Sequence, residues 1–116
     1  MKKQKAFIAY LVGLLLLLGT AASAQTKEKL WLSNYEQAAK KAKAESKPIL
    51  MVFAGSDWCK PCIMLRKEVW DTDAFMKYAK DNLVLLELDF PRFKKNQLPE
   101  EQVKHNEALA EKYNTE

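Results

Sequence analysis

The sequence has few cysteines and histidines, the residues that form most structural zinc sites. It contains two cysteines, Cys59 and Cys62, and a single histidine, His105. A structural zinc site takes four ligands, commonly two cysteine pairs or two cysteines with two histidines, so these three residues argue against zinc. We interpret His105 as a surface residue of a helix rather than a catalytic base. No metal and no other cofactor is therefore expected.

Long apolar runs are equally scarce, and the longest lies at the N-terminus. Residues 7–18 follow three lysines and precede a stretch of small residues, 19–24, that ends in Ala-Ser-Ala. This is the pattern of a secretory signal peptide with its cleavage site. The run is shorter than the roughly 20 residues of a membrane-spanning helix. We therefore predict a signal peptide at residues 1–24, export to a bacterial periplasm, and no stable membrane insertion after cleavage. An uncleaved N-terminal anchor is the alternative.

Net charge is also low once that segment is set aside. The whole chain carries a formal net charge of +4 at pH 7, and three of those charges come from Lys2, Lys3 and Lys5. The rest of the chain therefore has a net charge of +1. Such a balance gives no reason to expect nucleic acid or anionic lipid as a partner.

Residues 25–116 are predicted to form one small domain in which helices and strands alternate. No internal repeat or low-complexity linker interrupts it. Apolar periodicity, capping residues and prolines predict a helix from Ser33 to about Ser46, a strand at 48–54, a helix at 59–70, a short helix capped by Asp73, a strand at 83–89, and a last helix from Pro99. This order predicts an α/β fold with a parallel pair of strands.

Two of these elements carry predictions about burial. The strand at 48–54 is a continuous apolar run, which is typical of a strand that is buried on both faces of a sheet. In the helix at 59–70, the spacing of apolar residues predicts that Leu65, Val69 and Met64 face inward together with Cys62.

The cysteines lie in the motif Trp58-Cys59-Lys60-Pro61-Cys62, which follows a Gly-Ser-Asp turn and opens a predicted helix. A thiolate, not a thiol, attacks a disulfide, and the free N–H groups and the dipole at a helix start stabilise a negative sulfur. Cys59 is therefore predicted to be the attacking thiol. Cys62, nearly one turn later, is placed to resolve the mixed disulfide.

The flanking residues fit the same chemistry. Trp58 would cover one side of the sulfur and offer an apolar surface to a docking protein. Lys60 adds a cation of small effect, and Pro61 stiffens the turn. A structural disulfide is the alternative, but a loop closed across two intervening residues would stabilise the fold little.

The arrangement of strand, turn and Trp-Cys-Lys-Pro-Cys before a helix resembles the thioredoxin superfamily. The Gly-Ser-Asp-Trp-Cys lead-in is similar to that of exported bacterial thioredoxin-like proteins, and the resemblance covers residues 31–116. It implies a thioredoxin-like α/β fold. The attacking and resolving cysteines of the family carry over to Cys59 and Cys62, with Trp58 and Pro61 as the flanking positions.

The resemblance also implies partners, namely client proteins with thiols or disulfides and a membrane thiol protein as electron donor. The Lys60-Pro61 dipeptide is closer to the Gly-Pro of reducing thioredoxins than to the Pro-His or Gly-His of oxidants and isomerases. Since a histidine there favours the thiolate and an oxidising potential, the sequence favours a protein-disulfide oxidoreductase that acts as reductant or electron relay. A non-catalytic thioredoxin-like binding module, or an inactive fragment, is the alternative.

One departure from the family concerns protons. Phe53 stands where thioredoxins keep a buried aspartate. Asp57 is expected to be solvated in an exposed turn, and Glu87 and Asp89 are poor substitutes. Proton transfer at Cys62 is therefore expected to rely on water.

A second departure concerns the C-terminal half of the fold. The sequence ends where the cis-proline loop of the family would begin, and none of its four prolines can fill that position. We therefore expect an incomplete fold, with two strands where the family has four, and interpret the sequence as part of a longer protein. A truncated gene product and a short variant that pairs with another chain are the alternatives.

Overall fold

The computed structural model describes residues 30–115, so the predicted signal peptide lies outside the described residues. In chain order the elements are β1 (Trp31–Leu32), α1 (Tyr35–Glu45), β2 (Ile49–Ala54), α2 (Lys60–Leu65), a π-helical segment (Arg66–Trp70), α3 (Asp73–Asn82), β3 (Val84–Asp89), a 3₁₀ turn (Lys94–Asn96) and α4 (Glu100–Tyr113). None of the helices in residues 30–115 is long and apolar enough to cross a membrane. The predicted helices and both predicted strands are confirmed.

The sheet has three parallel strands in the order β1-β3-β2. Strand β3 lies at the centre, where Ile49 to Ala54 pair with Val84 to Asp89 and Trp31 pairs with Leu85. The prediction of two strands was wrong, because β1 is also present. A strand of two residues is too short to show an alternating pattern, so periodicity cannot reveal it.

The main core lies between the sheet and the helices α1 and α4. Its buried members are contributed by β3 and by one residue from each helix: Val84, Leu86, Leu88, Ala38 and Leu109. Because side chains alternate along a strand, Leu85 points to the opposite face, where α3 packs and buries Met76 and Ala79. Strand β3 is therefore covered on both faces.

Strand β2 differs from its prediction of burial on both faces. All six of its residues are half-buried. Within the described residues β2 pairs with β3 on one side only, so its other edge is unpaired. The apolar run correctly predicted a strand. Because β2 lies at the edge of the described sheet, its residues are less buried than the run predicted.

The helix starts also differ slightly from the sequence prediction. Asn34, not Ser33, caps α1, and its Oδ1 accepts a hydrogen bond from the Gln37 N–H at 3.0 Å. Thr72, not Asp73, caps α3. Asparagine is as favourable an N-cap as serine, and threonine is also a common N-cap, so residue type alone does not decide between two neighbouring candidates.

The predicted helix at 59–70 is present, with its second half in π-helical geometry. Its predicted inward face is partly wrong, because Met64 and Leu65 are 47% and 43% exposed. This helix begins beyond the carboxyl ends of β2 and β3, where Ala54 and Asp89 are paired in register. In open α/β sheets this edge is where functional sites lie.

Candidate active site

The turn between β2 and α2 is closed by Gly55. Its carbonyl accepts hydrogen bonds from the N–H groups of Trp58 at 3.2 Å and of Cys59 at 2.9 Å. These bonds reverse the chain directly after β2 and deliver Cys59, in extended conformation, to the first turn of α2. The cysteine pair thus opens the helix at the edge of the sheet.

Cys59 and Cys62 are joined by a disulfide with an S–S distance of 2.07 Å. Both residues are half-buried, so exposure does not distinguish them. A hydrogen bond does distinguish them, because the Cys62 N–H donates to Cys59 Sγ at 3.3 Å. Cys59 is the N-cap of α2, and its sulfur takes the acceptor position that a serine or aspartate oxygen fills in other helices.

The two flanking residues inside the motif are exposed. Lys60 is the first residue of α2 and Pro61 the second. The N–H that proline lacks would have no intrahelical partner at this position, so Pro61 removes no hydrogen bond from the helix. Its fixed φ favours the helical conformation of the segment between the cysteines.

An apolar depression of about 280 Å³ lies beside the disulfide. Besides the cysteines it is lined by Phe53, Ala54, Gly55, Trp58, Phe90, Ala110 and Asn114. Among the residues that the structure describes, none with an ionisable side chain other than the cysteines lines this depression. The phenylalanine at the position of the family's aspartate therefore sits beside the sulfurs without a carboxylate to replace it.

The carboxylates considered as substitutes are engaged elsewhere. Glu87 forms an ion pair with Arg66. Asp89 accepts hydrogen bonds from the Ser56 N–H at 2.9 Å and the Ser56 hydroxyl at 2.6 Å. Both contacts support the scaffold around the turn, since they tie β3 to the π-helical segment that follows α2 and to the residues before the motif.

Trp58 is held on two sides. Its Nε1–H donates to the Phe90 carbonyl at 2.7 Å, and the Arg92 guanidinium lies 3.5 Å from the centroid of the indole ring. The side chain is 42% exposed and lines the depression. Arg92 was not predicted from the sequence, because an arginine in a polar loop gives no pattern that places it over a residue so distant in the chain.

Asp57 is not a solvated turn residue, which corrects the expectation from the sequence. Its carboxylate accepts hydrogen bonds from the N–H groups of Arg92 at 2.9 Å and Phe93 at 3.0 Å, and from the Asn96 side chain at 3.0 Å. Burial alone would raise the pKa of Asp57, but these hydrogen bonds outweigh it and lower the pKa below its ordinary value. Asp57 therefore joins the active-site turn to the loop that follows β3.

This lowered pKa predicts a pH-dependent contribution to stability. A carboxyl whose pKa is lower in the folded state stabilises the fold above its unfolded pKa, near pH 4, and loses that effect as the pH falls further. We expect Asp57→Asn to lower the urea midpoint at pH 7, and the difference from wild type to shrink steadily below about pH 4. Urea titrations of both proteins between pH 2.5 and 7 measure this. A difference that is constant over this range would contradict it.

His105 is half-buried rather than on the surface, which also corrects the sequence interpretation. Its Nε2 accepts a hydrogen bond from the Tyr35 N–H at 3.1 Å, and its Nδ1 lies 2.9 Å from Asn106 Oδ1. His105 thereby ties α4 to the first residue of α1. It does not line the depression beside the cysteines.

Comparison with known proteins gives consistent matches. A model of the thioredoxin-like family matches residues 30–112. The disulfide bond reductase DsbH of Chlamydia pneumoniae is 38% identical over 80 residues, which are 69% of this chain and 47% of that protein. The thioredoxin-related protein DsbJ of the same organism is 34% identical over 91 residues, which are 76% of this chain and 26% of that protein. The chain thus spans about half the length of the first relative and about a quarter of the second.

A solved structure supports the same assignment of fold. A structure described as a DsbH oxidoreductase superimposes on this chain with a TM-score of 0.65 at 31% identity, over 84% of this chain and 69% of the other. The three-stranded parallel sheet, the flanking helices and the cysteine pair that opens α2 therefore form a thioredoxin-like α/β fold, and the chain belongs to the thioredoxin-like family.

Proposed function

We propose that this protein is a thiol–disulfide oxidoreductase that reduces disulfides of client proteins in the periplasm, with Cys59 as the attacking and Cys62 as the resolving cysteine. The observation that carries the proposal is the hydrogen bond from the Cys62 N–H to Cys59 Sγ. In the reduced protein the same N–H would face a thiolate, and a hydrogen bond to the charged form of a group lowers its pKa. Cys59 would then be the better nucleophile of the pair.

The first step forms a mixed disulfide. The Cys59 thiolate attacks one sulfur of the client disulfide, an S–S bond forms between Cys59 and the client, and the original client S–S bond breaks. The client's other sulfur leaves as a thiolate and takes a proton from water. The number of disulfide bonds is unchanged by this step, because the Cys59 sulfur has been oxidised from the thiolate to the disulfide state while the departing client sulfur has been reduced from the disulfide to the thiolate state.

The second step releases the client. Cys62 loses its proton to water, attacks Cys59 Sγ and displaces the remaining client sulfur as a thiolate, which is protonated in turn. Two electrons have then passed from the cysteine pair to the client, and the disulfide seen in this structure is the product. A dithiol donor, which we place in the membrane, must reduce it again before the next turnover.

Three flanking residues would support this exchange. Trp58, exposed beside the disulfide, would give the client an apolar surface to dock on. Pro61 would hold the segment between the cysteines in helical conformation, and Lys60 would add a cation near the attacking sulfur. The Lys60-Pro61 dipeptide favours the reducing direction, and the similarity to DsbH, a disulfide bond reductase, supports that direction. The periplasmic location in this proposal rests on the signal peptide predicted at residues 1–24.

An insulin-reduction assay tests the proposal. With dithiothreitol as donor, the protein should accelerate the precipitation of reduced insulin chains, measured as turbidity. Cys59→Ser should return the rate to that of dithiothreitol alone, because no thiolate remains at the start of α2. Circular dichroism of the variant establishes that it is folded.

The alternative, a binding module that docks on clients without turnover, predicts a different outcome. In that case wild type and Cys59→Ser would give the same precipitation rate as dithiothreitol alone. This result would reject the oxidoreductase function for this chain.

A further inference from the structure

The loop between β3 and α4, residues 90–98, is built onto the active-site turn. It is fixed at its start by the hydrogen bond from Trp58 to Phe90 and in its middle by the three hydrogen bonds to Asp57. Within the loop, Gln97 Nε2 donates to the Pro91 carbonyl at 3.2 Å. We call residues 90–98 the cationic loop, for the charges described next. Because these hydrogen bonds fix the conformation of the loop, its side chains form a defined surface near the disulfide.

The exposed charges of the cationic loop are all positive. Arg92, Lys94 and Lys95 lie in it, and the sequence of residues 90–98 contains no aspartate or glutamate. Lys60, exposed at the start of α2, adds a fourth cation at this edge of the sheet.

Two carboxylates, Asp57 and Asp89, contact the cationic loop or its first residue, and their oxygens are occupied by hydrogen bonds within the protein. Two further carboxylates, Glu100 and Glu101, are exposed directly after the loop, and Glu100 forms an ion pair with Lys104. The oxygens of Asp57 accept hydrogen bonds from the cationic loop itself. Those of Asp89 accept from Ser56 and from the Phe90 N–H at 2.9 Å. Both residues are half-buried, whereas Arg92, Lys94 and Lys95 are exposed. The exposed charge on residues 90–98 is therefore positive.

The same surface has an apolar component that reaches the depression. Phe93 is 54% exposed, and Trp58, which lines the depression, is 42% exposed. The guanidinium carbon of Arg92 lies over the Trp58 ring, 3.5 Å from the ring centroid, which is within the range of a cation–π interaction. Arg92 thus brings a positive charge to the border of the depression that holds the cysteines.

We propose that the cationic loop makes this protein selective for client disulfides whose flanking residues are acidic. A client sulfur that reaches Cys59 brings its neighbouring residues to the depression, and those neighbours then face Arg92 and the loop lysines. Complementary charge speeds association, and like charge opposes it. The proposal rests on the proposed function, since it names the class of client that the Cys59–Cys62 site would reduce.

Two peptide disulfides of equal length test the selectivity. One carries two glutamates on each side of its cysteines and the other carries lysines at the same positions. The reduced protein is mixed with each, and the second-order rate constant is measured by the loss of its thiols. We expect the acidic peptide to react about 10-fold faster at 20 mM salt, and the ratio to fall to about 2 at 0.5 M NaCl, where the Debye length is only a few ångströms.

Charge-removing variants show which cations cause the difference in rate between the two peptides. The triple variant Arg92→Gln, Lys94→Gln, Lys95→Gln should lower the ratio to about 2 at 20 mM salt. The matched control Lys40→Gln, Lys77→Gln, Lys80→Gln removes three exposed cations from α1 and α3 and should leave the ratio within about 1.5-fold of wild type. Arg92→Lys, which keeps the charge without the guanidinium over Trp58, should retain the ratio.

The outcomes separate this proposal from the function it rests on. If neither peptide is reduced, the proposed function fails and the selectivity fails with it. If both are reduced at equal rates, the oxidoreductase function stands and the selectivity is rejected. Equal losses in the loop variant and the control would attribute the effect to net charge and reject the loop. Loss of the ratio in Arg92→Lys would attribute it to the guanidinium over Trp58 and reject charge selection.

Discussion

Cys62→Ser should trap this protein covalently on its clients. The variant keeps Cys59 at the N-cap of α2 and keeps the backbone N–H that donates to its sulfur, because that N–H belongs to the main chain of residue 62. It lacks the thiol that would resolve the mixed disulfide. Incubation with oxidised periplasmic extract, followed by non-reducing electrophoresis, should show adducts that disappear on reduction, whereas wild type should show almost none.

Cys59→Ser is the matched control for trapping. Both single variants remove the same disulfide, so any loss of stability from the missing cross-link is common to them. Adducts should be at least about 10-fold fewer with Cys59→Ser, because the thiol of Cys62 accepts no hydrogen bond from the start of the helix. Equal or more abundant adducts with Cys59→Ser would reverse the assigned roles. Exposure alone does not decide between the two thiols, since both are half-buried.

Much of the fold could be predicted from local patterns. The apolar run that ends at Ala54 and the run that ends at Asp89 were correctly predicted as strands. Pro48 correctly predicted the end of α1, and Pro99 predicted the start of α4 to within one residue. What escaped prediction depends on tertiary position. Strand β1 has two residues, too few to show a periodicity, and it is defined by its pairing with β3. Strand β2 is half-buried and lies at the edge of the sheet within residues 30–115, a position that its apolar run does not reveal.

The candidate active site, like the fold, could be predicted only in part from local patterns. The cysteine pair and its place at a helix start are visible in five consecutive residues. The contacts of Asp57 with Arg92 and Phe93 join residues 35 and 36 positions apart, and no periodicity links them. The sequence pattern therefore predicted a solvated Asp57 and indicated no role for residues 90–98. The positive charges of residues 90–98 lie near the active site because hydrogen bonds attach this loop to the turn before Cys59.

Gly55→Ala is expected to be among the most damaging single changes near the site. A Cβ at Gly55 would lie 2.8 Å from Trp58 Cζ2 and closer still to Cε2 and Nε1. Backbone strain is not the cause, because no glycine of the described chain has a positive φ. The indole cannot yield easily, since the Phe90 carbonyl and the Arg92 guanidinium hold it. We expect a loss of about 1–3 kcal/mol of unfolding free energy, as for other overpacked sites, measured as a lower urea midpoint at unchanged m-value.

A double-mutant cycle separates this steric cause from a general weakness of the turn. Trp58→Ala removes the atoms that the new methyl group would meet, so adding Gly55→Ala to that variant should cost less than about 0.5 kcal/mol. The coupling free energy would then account for most of the single-variant loss. If Gly55→Ala costs as much without the indole as with it, contact with Trp58 is not the reason. Glycine would then be required by the turn itself, whose carbonyl holds Trp58 and Cys59 in place.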